Sequence, residues 1–147
     1  CIRDSGKDTF MQSLAENGVD PDNEHFIIKE YIDNMYTCMC ASDLIITRAG
    51  AMTLTELMAI GRASILIPYP YAAENHQYYN ALTLQNANAG RIIDDKELTG
   101  AVLIDTVTKL TDDPELLKLM SENAAKLSKH DAAGVILREI TDLMGLE

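Results

Sequence analysis

The sequence lacks long apolar runs and has few cysteines, and both absences exclude classes of protein. No stretch approaches the roughly 18 consecutive apolar residues of a transmembrane helix, and the first residues lack the apolar core of a signal peptide. The three cysteines are Cys1, Cys38 and Cys40, an odd number whose spacing suits neither a disulfide framework nor a metal knuckle. We expect small core thiols in a reducing cytoplasm.

Positive charge is also scarce. Twelve Lys and Arg residues stand against 23 Asp and Glu residues, for a formal net charge of −11. This balance disfavours binding of nucleic acid or anionic lipid through a broad basic surface. Any phosphate-bearing ligand is therefore expected to be held by local geometry.

Short apolar runs alternate with amphipathic stretches, a pattern that predicts βα units and a parallel sheet. We expect four or five strands, among them residues 25–29 (HFIIK), 43–47 (DLIIT), 63–67 (ASILI) and 91–93. Helices are predicted near residues 10–15, 52–60, 75–89, 99–111 and 131–144, with Gly18 and Gly61 ending the first two and a strong helix start at Asp113-Pro114-Glu115. The fold class is α/β, a Rossmann-like parallel sheet with helices on both faces.

The first candidate loop is TRAGAMTLTE, residues 47–56, between a predicted strand and a helix. Gly50 permits a tight turn and close approach of a ligand, and the N–H groups of the following helix form a binding site for phosphate.

Glu56, in the same loop, has two interpretations. It completes a capping box with Thr53, or its carboxylate grips the two hydroxyls of a ribose. Spacing alone does not separate them.

The second candidate loop is PYPYAAENHQYYN, residues 68–80. Gln77 and Asn80 are three residues apart and share a helix face, and their amides can read sugar hydroxyls because they both donate and accept. The alternative is a solvated helix start. His76 is a possible general base or a surface residue that makes hydrogen bonds.

Other catalytic signatures are missing. The sequence has no Gly-x-Gly-x-x-Gly or Walker motif, no nucleophile elbow and no paired-cysteine metal site. These absences give no indication of a dinucleotide, an ATP or a metal site.

Several segments together resemble one family. These are YIDNM at residues 31–35, ASDLIITRAGAMTLTE at residues 41–56, LIP at residues 66–68, and ENHQ followed by NA at residues 74–81. They resemble the MurG family of UDP-N-acetylglucosamine:lipid I N-acetylglucosaminyltransferases, which build lipid II for peptidoglycan. The resemblance extends along essentially the whole chain. One departure is Gly61-Arg62-Ala63, where the family usually has Gly-x-Pro.

The resemblance implies that ten residues bind the donor UDP-GlcNAc: Ile32, Ala51, Met52, Thr53, Leu54, Thr55, Glu56, His76, Gln77 and Asn80. Ile32 would meet the uracil through its backbone, and the start of the helix near Ala51 would line the diphosphate. Glu56 would bind the ribose, and Gln77 with Asn80 would contact the GlcNAc hydroxyls. The reaction would be an inverting displacement without a metal or another cofactor, and no catalytic residue would lie within this chain.

The resemblance also implies that residues 1–147 are the C-terminal, UDP-GlcNAc-binding domain of a GT-B enzyme. We expect the chain to lack the domain's first strand and the N-terminal domain that binds the lipid-linked acceptor and the membrane. Such a chain would be inactive alone, and the full-length enzyme would lie on the cytoplasmic face of the cell membrane. The alternatives are a related GT-B transferase with another lipid or polyisoprenyl acceptor, a non-catalytic UDP-sugar-binding subunit, or a structural domain.

Overall fold

The structure of the chain is a computed structural model that describes residues 4–16, 18, 20, 24–25, 27–29, 31–128 and 131–145. The chain divides into two units, residues 1–38 and residues 39–147. In the first unit, helix α1 spans Asp4–Glu16, and Gly18 follows it in the left-handed conformation at φ 72°. The predicted helix around residues 10–15 with a terminating glycine is therefore confirmed.

The second unit contains the sheet. Helix α2 spans Met35–Ala41, and the division between the units falls within it. The elements that follow, in chain order, are β1 (Leu44–Thr47), α3 (Ala51–Ile60), β2 (Ala63–Leu66), α4 (His76–Asn86), β3 (Gly90–Ile92), α5 (Gly100–Thr111), α6 (Pro114–Leu127) and α7 (Ala132–Met144). Short 3₁₀ turns occupy Ala73–Asn75 and Asp95–Glu97.

Strand β2 is the centre of a parallel sheet with the order β1-β2-β3. Leu44 pairs with Ala63 and Thr47 with Leu66, while Ser64 pairs with Gly90 on the other edge. All four residues of β2 are buried, as expected for a strand that is covered on both faces. Because the strands are parallel, their carboxyl ends meet at one edge of the sheet, where open α/β sheets bind ligands.

Two apolar clusters cover the two faces of the sheet. Leu66 belongs to the cluster that includes Leu54 and Leu57 of α3 and Leu84 of α4. Its neighbour Ile65 belongs to the other cluster, with Leu110 of α5 and Met120 of α6. Since side chains alternate along a strand, α3 and α4 lie on one face and α5 on the other, while α6 contributes Met120 to the second cluster and Ala124 to the first. The predicted Rossmann-like arrangement is confirmed.

The predicted helix starts near residues 99 and 113 are confirmed by side-chain caps. The Thr99 hydroxyl accepts a hydrogen bond from the N–H of Val102 at 3.2 Å. The Asp113 carboxylate accepts one from the N–H of Leu116 at 3.0 Å, with Pro114 in the first turn. These caps satisfy N–H groups that have no partner within the helix.

Two expectations were wrong. In the predicted strand at residues 25–29, His25 lies in a turn and Ile27–Lys29 have no regular structure, while residue 26 lies outside the described residues. A strand requires a neighbouring strand for its ladder of hydrogen bonds, and no described residue supplies one. The described residues thus contain three strands and not four or five.

The expectation of core thiols was also wrong. Cys38 is exposed and Cys40 is half-buried, so neither is a core thiol, and Cys1 lies outside the described residues.

The turn from α3 to β2 depends on Gly61. Gly61 adopts the left-handed conformation at φ 62°, and a Cβ atom there would lie 3.0 Å from the Ala125 Cβ atom and 3.3 Å from the Ser121 carbonyl oxygen of α6. We expect Gly61→Ala to lower the free energy of unfolding by about 1–3 kcal/mol through backbone strain and this clash. Urea unfolding followed by circular dichroism measures the change.

Gly100→Ala is the matched control, because the space around Gly100 is open within 4 Å and it lies at the start of a helix. This variant should keep or raise stability, by at most about 1 kcal/mol. Equal stability of Gly61→Ala and the unsubstituted chain would contradict the close packing of α3 on α6.

Candidate functional site

The turn between β1 and α3 presents unpaired N–H groups at the carboxyl edge of the sheet. Helix α3 begins at Ala51, and its N-cap Gly50 has an extended backbone with no side-chain cap. The first intrahelical bond runs from the N–H of Leu54 to the Gly50 carbonyl oxygen at 3.0 Å. By helix geometry, the N–H groups of Ala51, Met52 and Thr53 therefore have no carbonyl partner within the helix, and they form a site for an anion.

Gly50 does not use the conformational freedom of glycine. Its φ of −68° and ψ of 141° suit any residue, and an added Cβ atom would lie at 3.9 Å from the Thr53 Oγ1 atom, an ordinary contact. Because Gly50 has no side chain, it leaves the N–H groups of the next residues accessible to a ligand.

The capping-box interpretation of Thr53 and Glu56 is wrong. The helix starts three residues earlier than that interpretation requires, so Thr53 is the third helical residue and not the cap. Glu56 is exposed and makes no hydrogen bond or ion pair with the described residues. Its carboxylate shares a face of α3 with Met52 and Thr53, which precede it by four and three residues.

The other predicted residues of α3 divide between surface and core. Met52 is 80% exposed, and Ala51 is also exposed. The Thr55 hydroxyl donates to the Ala51 carbonyl oxygen at 2.9 Å, a contact within the helix. Leu54 is only 3% exposed and packs in the core cluster, so its side chain does not reach the site.

The loop before α4 has an unusual backbone. Glu74 and Asn75 are consecutive non-glycine residues with positive φ, at 48° and 57°. Such conformations concentrate at binding and active sites. His76 opens the helix, is exposed, and its Nδ1 atom lies 2.7 Å from the Ala73 carbonyl oxygen. This contact favours the role of a surface residue that makes hydrogen bonds.

Gln77 and Asn80 turn towards the ends of β1 and β2. The Gln77 Oε1 atom accepts a hydrogen bond from the N–H of Tyr69 at 3.0 Å, and the Asn80 Nδ2 atom donates to the Ala49 carbonyl oxygen at 3.5 Å. Each amide thus keeps one group, Gln77 Nε2 and Asn80 Oδ1, without a partner among the described residues. The Asn80 contact joins the two loops predicted from the sequence. Ile32 is half-buried and belongs to the first unit.

Sequence reasoning assigned no role to Arg48 and Asp95. The Arg48 Nη1 atom donates to the carbonyl oxygens of Ile67 and Pro68, both at 3.3 Å, and to the Asp95 Oδ1 atom at 2.5 Å. The ion pair joins residues that are 47 positions apart, so no local pattern indicates it.

An open cleft of about 310 Å³ lies beside this pair, with Tyr69, Asn75, Tyr78 and Asp95 among its lining residues. None of the predicted site residues lines it. Asn75 and Tyr78 lie on the opposite face of the first turn of α4 from Gln77 and Asn80. The cleft and the predicted site are therefore separate features of the same sheet edge.

The described part of the chain contains neither a metal-binding cluster nor a membrane-spanning helix. No cluster of three or more His, Cys, Asp or Glu residues there is arranged to hold a metal ion. No helix there has both the length and the apolar composition needed to cross a bilayer.

Comparison with known proteins decides the family. Residues 2–136 match the glycosyltransferase family 28 C-terminal domain. The chain belongs to this family. The expected family resemblance and the glycosyltransferase fold are thereby confirmed.

Individual members of the family are similar over most of the chain. A UDP-N-acetylglucosamine–N-acetylmuramyl-(pentapeptide) pyrophosphoryl-undecaprenol N-acetylglucosamine transferase from Desulforamulus reducens is 41% identical over 143 residues, which cover 95% of this chain and 38% of the relative. A transferase of the same name from a Thermoanaerobacter species is 44% identical over 133 residues, or 90% of this chain and 36% of the relative.

Among solved structures, the crystal structure of Acinetobacter baumannii MurG matches with a TM-score of 0.79 and 30% identity. The match covers 91% of this chain and 38% of that protein. The chain thus spans less than two fifths of the length of these relatives.

Substitution of Glu56 tests directly whether this residue caps the helix. Because the carboxylate is exposed and caps nothing, we expect Glu56→Ala to change the free energy of unfolding by less than about 0.5 kcal/mol. Thr99→Ala, which removes an observed cap, should cost about 1 kcal/mol. Urea unfolding compares the two, and similar losses for both variants would restore a capping role for Glu56.

Proposed function

We propose that this chain is the donor-binding part of an inverting glycosyltransferase that transfers GlcNAc from UDP-GlcNAc to lipid I, forming lipid II for peptidoglycan. Family membership supports this proposal, as do the relatives named as N-acetylglucosamine transferases. The chain covers 38% of the first of these relatives, and the proposal assigns acceptor binding to the part of the protein outside residues 1–147.

The observation that carries the proposal is the uncapped start of α3. The N–H groups of Ala51, Met52 and Thr53 point at the carboxyl edge of the sheet, where no side chain caps the helix. Three such donors and the helix dipole suit a diphosphate. This is the kind of anion site that an acidic chain with a net charge of −11 can offer.

Glu56 supports the assignment of the ligand as a nucleotide. Its exposed carboxylate lies one turn along the same helix face as Met52 and Thr53. A carboxylate can accept hydrogen bonds from both hydroxyls of a ribose. In this proposal the diphosphate lies at the helix start and the ribose lies beside Glu56, while the contact of Ile32 with the uracil stays a prediction from the sequence.

Gln77 and Asn80 are proposed to read the sugar. Each amide is held by one main-chain contact and keeps one group for a ligand, a donor on Gln77 and an acceptor on Asn80. A hydroxyl both donates and accepts, so this complementary pair suits the hydroxyl-rich GlcNAc ring. His76 lies at the same helix start, beside the sugar.

In the proposed reaction, an acceptor hydroxyl attacks the anomeric carbon of GlcNAc. The bond from that carbon to the diphosphate oxygen breaks, and UDP leaves with the electron pair. The N–H groups at the start of α3 stabilise the growing negative charge on the leaving diphosphate. We assign the catalytic base, the lipid-linked acceptor site and the membrane contact on the cytoplasmic face to the acceptor domain, so residues 1–147 alone should bind donor without transferring sugar.

Removing the Glu56 carboxylate tests the nucleotide site. We expect Glu56→Ala to weaken binding of UDP and UDP-GlcNAc by about 10–100-fold, as expected for the loss of roughly 1.5–3 kcal/mol of charged hydrogen bonding. Ligand-observed NMR titration of the chain measures both dissociation constants.

The control is Glu122→Ala, which removes an exposed helical carboxylate from α6 and changes the net charge equally. Unchanged affinity in Glu56→Ala, or an equal loss in both variants, would contradict the ribose contact.

Removing the Gln77 amide tests sugar reading. We expect Gln77→Ala to reduce the preference for UDP-GlcNAc over UDP-glucose and UDP-galactose, while affinity for UDP stays within about twofold, because only the sugar loses a hydrogen bond. Competition titrations among the three UDP-sugars measure this preference.

Gln85→Ala is a closely matched control on the same helix. The Gln85 Oε1 atom also accepts a main-chain N–H, from Ile92 at 3.0 Å, so its loss should cost similar stability without changing sugar preference. Equal losses for UDP and all UDP-sugars in Gln77→Ala would argue against a sugar-reading role.

A further inference from the structure

One side chain ties together the carboxyl ends of all three described strands. Arg48 follows β1, its carbonyl acceptors on Ile67 and Pro68 follow β2, and its carboxylate partner Asp95 follows β3. The guanidinium carbon also lies 5.7 Å from the centre of the Tyr69 ring. A guanidinium suits this position because its planar fork presents several donors in fixed directions and stacks on aromatic rings.

The ion pair alone does not explain the arrangement. The side chains of Arg48 and Asp95 are 50% and 33% exposed, and pairs of this exposure contribute little to stability because water screens them. The two carbonyl contacts and the Tyr69 ring instead make Arg48 a geometric constraint on residues 67–69.

These contacts continue into a closed ring. The N–H of Tyr69 donates to Gln77, Asn80 lies one helical turn further along α4, and Asn80 donates to the carbonyl oxygen of Ala49. Ala49 is fully buried and adjacent to Arg48. The ring therefore links the start of α3, the end of β2 and the first turn of α4.

We propose that Arg48 is a positioning residue that sets the distance between the diphosphate-binding N–H groups at the start of α3 and the amides of Gln77 and Asn80. This inference rests on the proposed function. Loss of the guanidinium fork releases residues 67–69, which hold Gln77 through the Tyr69 N–H, while the N–H groups of α3 remain. Recognition of the GlcNAc moiety then suffers more than recognition of UDP.

The test is Arg48→Lys, which keeps the charge and removes the fork. In NMR titrations of the chain, we expect affinity for UDP-GlcNAc to fall by about tenfold, less than the roughly hundredfold effect of a 1 Å misplacement. Affinity for UDP should stay within about twofold, since its contacts do not depend on α4. If Arg48 only stabilised the fold, the ratio of the dissociation constants for UDP-GlcNAc and UDP would not change at temperatures well below unfolding.

Arg62→Lys is the matched control. Arg62 is also part-buried, and its Nη2 atom donates to a main-chain carbonyl oxygen, that of Cys40, next to the amino end of β2. This variant should leave the ratio of the two dissociation constants unchanged. Asp95→Asn removes the ion pair but keeps the carbonyl contacts, so it should shift the ratio in the same direction by a smaller factor, and it serves as the second variant if Arg48→Lys does not fold.

Amide hydrogen exchange gives a readout that needs no ligand. Exchange at the Tyr69 N–H should accelerate in Arg48→Lys, while exchange at the Ile92 N–H, held by Gln85, should not change. Unchanged Tyr69 exchange, or equal losses of UDP and UDP-GlcNAc affinity, would overturn the positioning role and leave the proposed function intact. Failure of the unsubstituted chain to bind UDP would overturn the proposed function and this inference with it.

Discussion

The parallel pairing of β2 with both of its neighbours is the constraint on which the rest of the second unit depends. This pairing buries all four residues of β2 and brings the carboxyl ends of three strands to one edge. Side chains that alternate along β2 then assign α3 and α4 to one face and α5 to the other, while α6 contributes to both clusters. The loops that carry Arg48, Gln77 and Asp95 meet because of this sheet.

The proposed function requires an acidic chain to attract a diphosphate against its overall charge. The uncapped start of α3 offers main-chain N–H groups for this purpose, and the nearby Arg48 is already engaged by Asp95 and two carbonyl oxygens. In the proposed site, Arg48 therefore has a positioning role, while main-chain dipoles supply the attraction. Such dipoles are fixed in direction and need little reorganisation when a charge arrives.

Local sequence signals predicted helix ends correctly where residues close in sequence satisfy the hydrogen bonds of the backbone. Thr99 and Asp113 cap the helices that their spacing indicates, and Gly18 and Gly61 end theirs in the left-handed conformation. The same kind of signal failed at Thr53, because α3 starts at Ala51 and leaves Thr53 inside the helix. It failed again at residues 25–29, where a strand-like pattern has no described strand beside it.

By itself, the sequence determined the family, the βα alternation and the two loops that form the candidate site, because these follow from motifs and periodicity over short spans. Only the tertiary structure decided that Leu54 belongs to the core, that Gln77 and Asn80 are each held by one main-chain contact, and that Arg48 joins three strand ends. These features depend on contacts between residues up to 47 positions apart. Such contacts arise from the pairing of strands and the packing of helices, which leave no periodic trace in the local sequence.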